Sequence, residues 1–331
     1  MEKRFGVGAM KRVLVTGATG SFGRAFVHSL LNLDPNIEII CFSRDELKQF
    51  EMQAEFKSKR LMFALGDVRD YRRILQVSEG VDTIVHAAAM KQIPAAELNP
   101  MEAIKTNVLG AENIINAAIE SSVTKVVALS TDKAANPANL YGATKLCSDK
   151  LMIAGNLLVK NSETKFSVVR YGNVLGSRGS VVPYFNEMKK SGLIPITDER
   201  MTRFWLTLSN AVDLVFTTLR QMKGGEIFIP KIPSFKVIDV ARLVAPGVPI
   251  EVIGIRPGEK LHEIMITEDD SLYTREYSNH YRILSPLLSI HEKELSMESD
   301  IPYGFSYRSD NNSWWHTDES FISTLKEIGL A

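Results

Sequence analysis

The residues best suited to chemistry in this sequence lie in one short stretch. Thr131, Asp132 and Lys133 supply a hydroxyl, a carboxylate and an amine, and Tyr141 and Lys145 follow with a spacing of four. On a helix this spacing puts the last two side chains on one face, one turn apart. The ordinary pKa of a phenol is about 10, and a neighbouring ammonium favours the phenolate, which takes a proton from an alcohol. The stretch therefore predicts an enzyme.

An apolar run, Lys125 to Ser130, leads into this stretch. Such a run, ending in polar residues, is typical of a buried parallel strand. Open α/β sheets bind their ligands at the carboxyl ends of these strands. We therefore expect Thr131, Asp132 and Lys133 at the ligand-binding edge of a sheet.

A glycine-rich turn follows the apolar strand Arg12 to Val15. Glycines in such a turn let the backbone approach a pyrophosphate and let the next helix pack on the strand. The spacing here is G-x-x-G-x-x-G, not the usual G-x-G-x-x-G, and a plain turn is the alternative. The strand–turn–helix context favours a dinucleotide site. Its expected residues are Gly17, Thr19, Gly20, Ser21, Phe22 and Gly23.

The second strand, Ile37 to Cys41, leads to residues that bear on the choice between NAD and NADP. An acidic residue at this tip binds the ribose hydroxyls of NAD, whereas an arginine accommodates the 2′-phosphate of NADP. Ser43, Arg44 and Lys48 favour NADP, and Asp45 leaves NAD open. Ser43 has a second interpretation, as the cap of the following helix.

A third strand is predicted at Leu61 to Leu65 and a fourth at Val81 to Ala89. After the third, Asp67 can accept a hydrogen bond from an adenine amino group while Val68 packs on the ring. The alternative is that Asp67 begins the next helix.

Small side chains end the fourth strand, where a flat cofactor can lie close to the backbone. They are Ala87, Ala88 and Ala89. Lys91 comes next and is placed to meet an anion. We interpret His86 as a core histidine and Asn107, within a helical pattern, as a structural strut.

Strands and helices alternate up to a sixth strand, Phe166 to Arg170. Right-handed crossovers between them predict a Rossmann-like, doubly wound parallel sheet of the α/β class. Further strands at 225–230 and 251–255 are expected in a smaller lobe that closes over the cofactor. The predicted domains are 11–175 for dinucleotide binding, 176–285 for a mainly substrate-binding lobe interleaved with the first, and 286–331 for a C-terminal extension.

The predicted lobe carries two arginines suited to an anionic substrate, Arg203 and Arg256. Arginine binds phosphate bidentately, and a helix expected to start near Leu261 would add its dipole. The alternative is that each arginine is a surface charge. Trp314 and Trp315 in the extension indicate a strap over the core or a subunit contact.

Composition limits the classes of function. The 331 residues include 39 acidic and 39 basic ones, so no net field favours nucleic acid or an anionic membrane. No apolar run approaches the roughly 18–20 residues of a membrane span. Cys41 and Cys147 lack the spacing of a metal site or a disulfide framework, so we expect no metal and a reducing cytoplasm. Residues 1–9 lack the apolar core of a signal peptide, and Met10 indicates a tail or an alternative start.

Together these motifs resemble the extended short-chain dehydrogenase/reductase superfamily. The resemblance is carried by the glycine turn, Asp67-Val68, the alanines with Lys91, the Tyr141–Lys145 pair and the segment 256–259. Within the superfamily, Ser-Thr-Asp-Lys-Ala, Asn-Leu-Tyr-Gly-Ala-Thr-Lys and Arg-Met-Thr-Arg-Phe-Trp resemble the inverting UDP-N-acetylglucosamine 4,6-dehydratases, which make the first intermediate toward pseudaminic acid. Relatives that act on dTDP-glucose or GDP-mannose have Asp-Glu in place of Asp132-Lys133.

The resemblance implies a role for each side chain. Tyr141, its pKa lowered by Lys145 and by the positive ring of a tightly bound, recycled NADP, would take the proton of the sugar 4-hydroxyl as hydride leaves C4. Lys133, neutral if desolvated, would remove the C5 proton, and Asp132 would protonate the departing 6-hydroxyl. Thr131 would hydrogen-bond the 4-hydroxyl. Hydride would then return to C6, and Tyr141 could protonate C5 from the opposite face.

The resemblance also implies binding sets and an assembly. Tyr141 and Lys145 would bind the cofactor as well as take part in catalysis. The UDP-sugar pocket would be lined by Lys91, Thr131, Asn173, Val181, Thr197, Arg203, Arg256 and Glu259. A homo-oligomer, either a hexamer or a dimer, is expected.

Three alternatives stay open at this point. The same scaffold would serve a retaining dehydratase or a UDP-sugar 4-epimerase. The third is a non-catalytic, NADP-binding regulator, which an intact set of Asp132, Lys133, Tyr141 and Lys145 disfavours.

Overall fold

A computed structural model describes residues 10–159, 163–177, 179–298 and 301–330. The expected tail, residues 1–9, lies outside these ranges. The strands in chain order are β1 (Arg12–Thr16), β2 (Glu38–Ser43), β3 (Leu61–Leu65), β4 (Thr83–His86), β5 (Lys125–Leu129), β6 (Lys165–Val169), β7 (Asn173–Val174), β8 (Ile194–Ile196), β9 (Thr202–Leu206), β10 (Ile227–Pro230), β11 (Ser234–Lys236), β12 (Ile250–Val252), β13 (Ile264–Ile266), β14 (Thr274–Glu276), β15 (His280–Ile283) and β16 (Tyr307–Arg308).

Twelve α-helices occur in the described part of the chain. They are α1 (Ser21–Leu33), α2 (Glu46–Phe56), α3 (Tyr71–Ser78), α4 (Ile93–Leu98), α5 (Pro100–Ile104), α6 (Gly110–Glu120), α7 (Leu140–Leu158), α8 (Val181–Met188), α9 (Leu208–Gln221), α10 (Val237–Val244), α11 (Glu292–Leu295) and α12 (Asp318–Glu327). A π-helical turn, Lys105–Leu109, joins α5 to α6. Short 3₁₀ helices cover Asp132–Ala134, Lys189–Ser191, Asp269–Tyr273 and Ser289–His291.

One large sheet organises the fold. Its strand order is β14-β15-β10-β6-β5-β4-β1-β2-β3, and β1 to β6 are parallel to their neighbours. Val13 of β1 pairs with Ile39 on one side and with Thr83 on the other. Both faces are covered by helices, which is why β1, β4 and β5 are almost continuous apolar runs. The predicted doubly wound α/β fold is confirmed.

The strand predicted at 225–230 is β10, and its expected place in the smaller lobe is wrong. β10 lies in the main sheet, parallel to β6 and antiparallel to β15. The amide of Arg170 donates to the carbonyl of Phe228 at 2.8 Å, so β10 satisfies the hydrogen bonds of β6. An apolar run marks a buried strand but does not identify the neighbour with which it pairs.

A second, smaller core lies outside the main sheet. It is formed by buried side chains from Leu175 and α8 through to α10 and from α12, among them Trp205, Phe235 and Phe321. Two small sheets, β11-β9-β7 and β12-β8, border it. The strand predicted at 251–255 is shorter in the structure, where it is β12.

The C-terminal segment packs on both parts of the molecule. β16 pairs with β13, Trp315 forms a bridge with Ser234, and Phe321 of α12 is fully buried in the second core. These contacts are those of a strap over the core, one of the two roles considered for this segment. Within the described ranges, no helix combines the length and the apolar character that a membrane crossing needs.

Candidate active site

A cavity of about 990 Å³ opens at the carboxyl ends of the parallel strands. Strand order reverses between β1 and β4, which is where open α/β sheets bind ligands. Every residue expected to bind the cofactor is part of its wall. The wall also includes Thr131, Asp132, Lys133, Lys91 and Asn173. The other residues expected to bind the substrate are not part of it: Val181, Thr197, Arg203, Arg256 and Glu259.

The glycine turn brings the backbone of β1 close to its neighbours. Gly17 has a positive φ of 67°, and a Cβ there would lie 2.9 Å from the carbonyl carbon of Ala87. A Cβ on Gly23 would lie 2.4 Å from the carbonyl oxygen of Gly17, which is far inside van der Waals contact. Only glycine fits this geometry, and it lets α1 begin at the cavity with the positive end of its dipole.

The tip of β2 holds the residues that bear on cofactor choice. The Arg44 side chain is 61% exposed, and its guanidinium lies 3.5 Å from the carboxylate of Asp67. The Asp45 carboxylate caps α2 by accepting from the amide of Lys48, and it also pairs with the Lys48 ammonium. The interpretation of Ser43 as the cap is therefore wrong, because its hydroxyl accepts instead from Gln49 Nε2 at 3.0 Å.

Asp67 does not begin a helix. Asp70 caps α3, and Asp67 accepts from Arg69 at the rim of the cavity. Although burial raises it, the hydrogen bonds and charge of Arg69 hold the pKa of Asp67 below its ordinary value. The alternative in which Asp67 starts the helix is therefore wrong, because the cap of α3 lies three residues later, at Asp70.

The two residues interpreted as structural have buried partners. His86 Nδ1 lies 2.8 Å from Thr16 Oγ1, and burial lowers the pKa of His86 to about 3. Asn107 Oδ1 accepts from the amide of Met90 at 2.8 Å, and its Nδ2 donates to Thr144 Oγ1 at 3.0 Å. These contacts confirm a core histidine and a strut beneath α7.

A 3₁₀ turn holds the acid and the amine at the end of β5. Thr131 caps the turn, and its hydroxyl donates to Asp132 Oδ1 at 2.9 Å. Lys133 Nζ lies 3.0 Å from the same oxygen. Gly142, in the first turn of α7, packs so closely under this turn that a Cβ would lie 2.2 Å from the carbonyl oxygen of Lys133.

Neighbouring carboxylates favour the charged form of Lys133, whereas the expectation was of a lysine made neutral by desolvation. Its ammonium lies between two buried carboxylates, 3.0 Å from Asp132 Oδ1 and 3.1 Å from Glu263 Oε1. Burial lowers the pKa of Lys133, but the two negative charges outweigh that effect and raise it above its ordinary value. Lys133 must therefore lose a proton before it can act as a base.

The pKa of Tyr141 also differs from expectation. Burial raises it to about 12, partly opposed by the charge of Lys133. The influences that lower the Tyr141 pKa are Lys133 and a hydrogen bond from Thr131. Burial lowers the pKa of Lys145 itself, opposed by the charge of Asp149. A further positive charge in the cavity is needed to favour the phenolate.

Asp132 has the properties of an acid. It is 1% exposed, and burial together with the negative charge of Glu263 raises its pKa, although Lys133 opposes the effect. In the described part of the chain its second carboxylate oxygen has no hydrogen-bond partner. A protonated Asp132 can deliver its proton to a leaving group in the cavity.

Arg203 makes structural contacts in this structure. Its guanidinium donates to the carbonyls of Thr202, Leu261 and Lys260 at 2.7–3.0 Å, and its Nε lies 3.5 Å from Glu263. These contacts attach the segment after residue 256 to β9. Binding of a phosphate by Arg203 stays a prediction.

Arg256 is at the surface, with its side chain 70% exposed and paired bidentately with Glu259. The helix predicted to start near Leu261 is wrong. The chain bends there and continues into β13, because β16 offers it a partner strand from far along the sequence.

Two buried acids, Glu263 and Asp149, were not predicted from the sequence. Asp149 had a signal, since it follows Lys145 by four residues and so lies on the same face of α7. Glu263 had none, because only the tertiary fold brings it to Lys133. Within the described residues, no group of three or more His, Cys, Asp or Glu side chains is placed to hold a metal ion.

Comparisons with known proteins agree with the fold and with the family that the motifs resemble. The sequence profile of the polysaccharide biosynthesis protein family matches residues 13–285. Two proteins of Campylobacter jejuni, each named UDP-N-acetylglucosamine 4,6-dehydratase (inverting), are 51% identical over 326 residues, 95% of this chain and 97% of the relative. A UDP-glucose 4-epimerase of Rickettsia akari is 42% identical over 281 residues, 82% of this chain and 82% of the relative.

Solved structures give the same picture. The structure of Pen from Bacillus thuringiensis has a TM-score of 0.89 and 36% identity, covering 97% of this chain and 98% of that one. A dTDP-glucose 4,6-dehydratase from Streptomyces venezuelae, DesIV, has a TM-score of 0.68 and 20% identity over 97% of this chain and 100% of that one, which shows a shared fold. The resemblance drawn from the motifs is confirmed by these relatives.

Proposed function

This chain belongs to the polysaccharide biosynthesis protein family, and from that premise we propose that it is a nucleotide-sugar 4,6-dehydratase. Its proposed substrate is UDP-N-acetylglucosamine. The proposed product has an inverted C5, UDP-2-acetamido-2,6-dideoxy-β-L-arabino-hex-4-ulose, for pseudaminic acid or other surface glycans. The observation that carries the proposal is a buried acid, Asp132, beside an amine, Lys133, in the same cavity as Tyr141. The 51% identity to the inverting dehydratases supports the same reaction.

The cavity fits a nicotinamide dinucleotide, and we propose NADP. The fit rests on the closeness of the glycine turn to Ala87 and on the start of α1 at the cavity. Arg44, largely exposed at the tip of β2, would bind the 2′-phosphate with Ser43 and Lys48. Bound there, the oxidised cofactor would accept hydride from the sugar, return it later, and add a positive charge beside Tyr141.

The proposed roles of the side chains follow from their charges. Tyr141 takes the proton of the 4-hydroxyl. The Tyr141 side chain has Thr131 as a hydrogen-bonding neighbour, and Lys145 follows it one turn later on α7. A 4-ketone makes the C5 proton acidic, and the deprotonated fraction of Lys133 removes it. Asp132 gives its proton to the departing 6-hydroxyl. Return of a proton to C5 from the opposite face, by Tyr141, inverts that centre.

The substrate pocket is proposed to extend from the cavity toward the smaller lobe. Lys91 and Asn173 are already part of the cavity wall. Val181, Thr197, Arg203, Arg256 and Glu259 would join the pocket if the lobe closed over a bound UDP-sugar. The domain limits 11–175, 176–285 and 286–331, a homo-oligomeric state and a cytoplasmic location complete the proposal.

The test is mass spectrometry of the product from UDP-N-acetylglucosamine. Loss of one water by the sugar is expected from the wild-type protein. Lys133→Ala is expected to bind UDP but to release no dehydrated product. Unchanged mass for the wild type, with or without NADP⁺, would contradict the proposal.

A second candidate is a UDP-sugar 4-epimerase. It is favoured by the 42% identity to proteins named UDP-glucose 4-epimerase. An epimerase keeps the mass of its substrate and changes only the configuration at C4. The same mass measurement, extended by chromatography of the products, therefore separates the two candidates.

A further inference from the structure

Glu263 is a buried acid to which the proposed reaction assigns no role. Its side chain is 2% exposed, and its Oε1 lies 3.1 Å from Lys133 Nζ and 3.5 Å from Arg203 Nε. Its backbone is fixed from both sides: its amide donates to Ser309 Oγ at 2.9 Å, and its carbonyl accepts from the Ser309 amide at 2.9 Å. The carboxylate is therefore held at a fixed place beside the catalytic turn.

We propose that Glu263 is a positioning residue, which holds the Lys133 ammonium at the cavity wall and causes Asp132, rather than itself, to carry a proton. This inference rests on the function proposed above and adds a residue to its machinery. Glu263 acts through Lys133 and Asp132 and does not itself face the cavity.

The proposal follows from two carboxylates that share one ammonium. Asp132 and Glu263 both contact Lys133, and two like charges so close favour protonation of one of them. Glu263 has a second cation, Arg203, whereas the other contact of Asp132 is a neutral hydroxyl. The proton therefore belongs on Asp132. The pKa shifts of the two acids agree with this placement of the proton. The pKa of Glu263 is lowered despite its burial, and that of Asp132 is raised.

Two further cations, Lys260 and Arg203, favour the charged form of Glu263. Lys260, whose Nζ donates to the carbonyl of Ala135 at 2.7 Å, adds positive charge near Glu263. Arg203 lowers the pKa of Lys133 and of Glu263. Without the negative charge of Glu263, Lys133 and Lys260 would act on Asp132 as the remaining buried carboxylate beside them. Asp132 would then ionise more readily, and Lys133 would lose its proton more readily.

The test is Glu263→Gln, which keeps the shape of the side chain and removes its charge. Competitive labelling with acetic anhydride, read by mass spectrometry, reports the neutral fraction of Lys133, whose side chain is 24% exposed at the cavity. A pKa lower by about one unit gives roughly tenfold faster labelling at fixed pH. In the pH profile of dehydration, the loss of activity at high pH is expected about one pH unit lower.

Glu226→Gln is the matched control for a merely structural effect. Glu226 is also buried, and it accepts from Ser167 Oγ and from the amides of Lys223 and Gly224, far along the chain from the catalytic turn. We expect a lower Tm for this variant but wild-type labelling of Lys133 and a wild-type pH profile. Glu263→Asp is the second variant, for use if Glu263→Gln does not fold. The shorter side chain moves the negative charge away from Lys133, so Lys133 is expected to be labelled faster than in the wild type.

The outcomes separate this inference from the proposed function. Wild-type labelling of Lys133 in a folded Glu263→Gln or Glu263→Asp protein would overturn the inference, as would an unshifted pH profile in Glu263→Gln. Faster labelling in a protein that does not dehydrate UDP-N-acetylglucosamine would support the placement of charge by Glu263 and overturn the proposed reaction.

Discussion

Asp132 and Lys133 are neighbours in the chain, and burial shifts their pKa values in opposite directions. It favours the neutral form of each, and for Asp132 this raises the pKa as an acid requires. For Lys133 the same burial is outweighed by two carboxylates, so its ammonium persists. An enzyme that uses the pair must move a proton away from Lys133 in each cycle. This requirement makes the surrounding charges part of the catalytic apparatus.

In the proposed function, the choice of NADP over NAD depends on Arg44. We expect Arg44→Ala to weaken NADP binding by about ten- to hundredfold, the effect of losing a charged hydrogen bond of roughly 1.5–3 kcal/mol. NAD binding should change little. Isothermal titration with both cofactors measures this, with Lys59→Ala, an exposed lysine near the end of α2, as the control. Equal losses for the two cofactors would contradict the role of Arg44.

The buried His86 is expected to make the free energy of unfolding depend on pH. Its folded-state pKa of about 3 lies below the ordinary value, so between these values only the unfolded chain takes up the proton. Stability is therefore present at neutral pH and is lost as pH falls, by about 2 kcal/mol between about pH 6.5 and 5.

His86→Asn tests this because asparagine keeps an acceptor for Thr16 Oγ1. Urea unfolding at about pH 7.5 and about pH 5 gives the free energy of unfolding of both proteins. The variant is expected to lose about 2 kcal/mol less than the wild type on acidification. Equal losses in both proteins would show that His86 is not the group that titrates.

At the scale of elements, the active site depends on how closely α7 approaches the 3₁₀ turn after β5. Gly142 makes that approach possible, because a side chain there would meet the Lys133 carbonyl. Asn139 caps α7 through the amide of Gly142 at 2.8 Å, and this fixes the position at which the helix begins. Tyr141 and Lys145 then follow on the face that meets the cavity.

Gly142→Ala should therefore damage activity more than it damages the fold. The added methyl group pushes the turn away from α7 and moves Lys133 and Asp132 relative to Tyr141, for which we expect a loss of kcat of about 10²-fold or more. Steady-state kinetics and thermal unfolding check this. Cys147→Ala, at an exposed position on the same helix, is expected to retain wild-type kinetics. Loss of Tm in proportion to activity would contradict the prediction.

Local patterns predicted the elements whose signals are local. The strands β1 to β6 and the glycine turn follow from apolar runs and from residues adjacent in sequence. The place of β10 and the strand β13 did not follow, since each depends on a partner strand distant in the chain. The candidate site divides in the same way. The cavity-wall residues of the glycine turn and of the stretch 131–145 were predictable from residues adjacent in sequence. The charge of Lys133 was not, because Glu263 reaches it only through the tertiary fold.

At the scale of the whole molecule, the second core joins the smaller lobe to the C-terminal strap. The Phe321 ring lies 4.7 Å from that of Phe235 and 5.8 Å from that of Trp205. Trp205 belongs to β9, the strand that also carries Arg203. The strap therefore supports the lobe proposed to bind the substrate.

Phe321→Ala is expected to lower stability by about 3–5 kcal/mol, the usual effect of removing a buried aromatic ring. Chemical denaturation measures it, and a raised KM for the nucleotide sugar should accompany it as β9 loses support. Leu287→Ala, at a residue 72% exposed in the same segment, is the control and should change neither quantity. An unaffected stability in Phe321→Ala would show that the strap is not part of the core.

The most direct test of the proposed reaction is proton NMR of the purified protein with UDP-N-acetylglucosamine in D₂O, first without added cofactor and then with NADP⁺. Loss of water, deuterium at C5 and a 4-keto-6-deoxy product of L-arabino configuration are expected. A D-xylo product would contradict inversion at C5. A product that keeps its 6-hydroxyl would contradict dehydration itself.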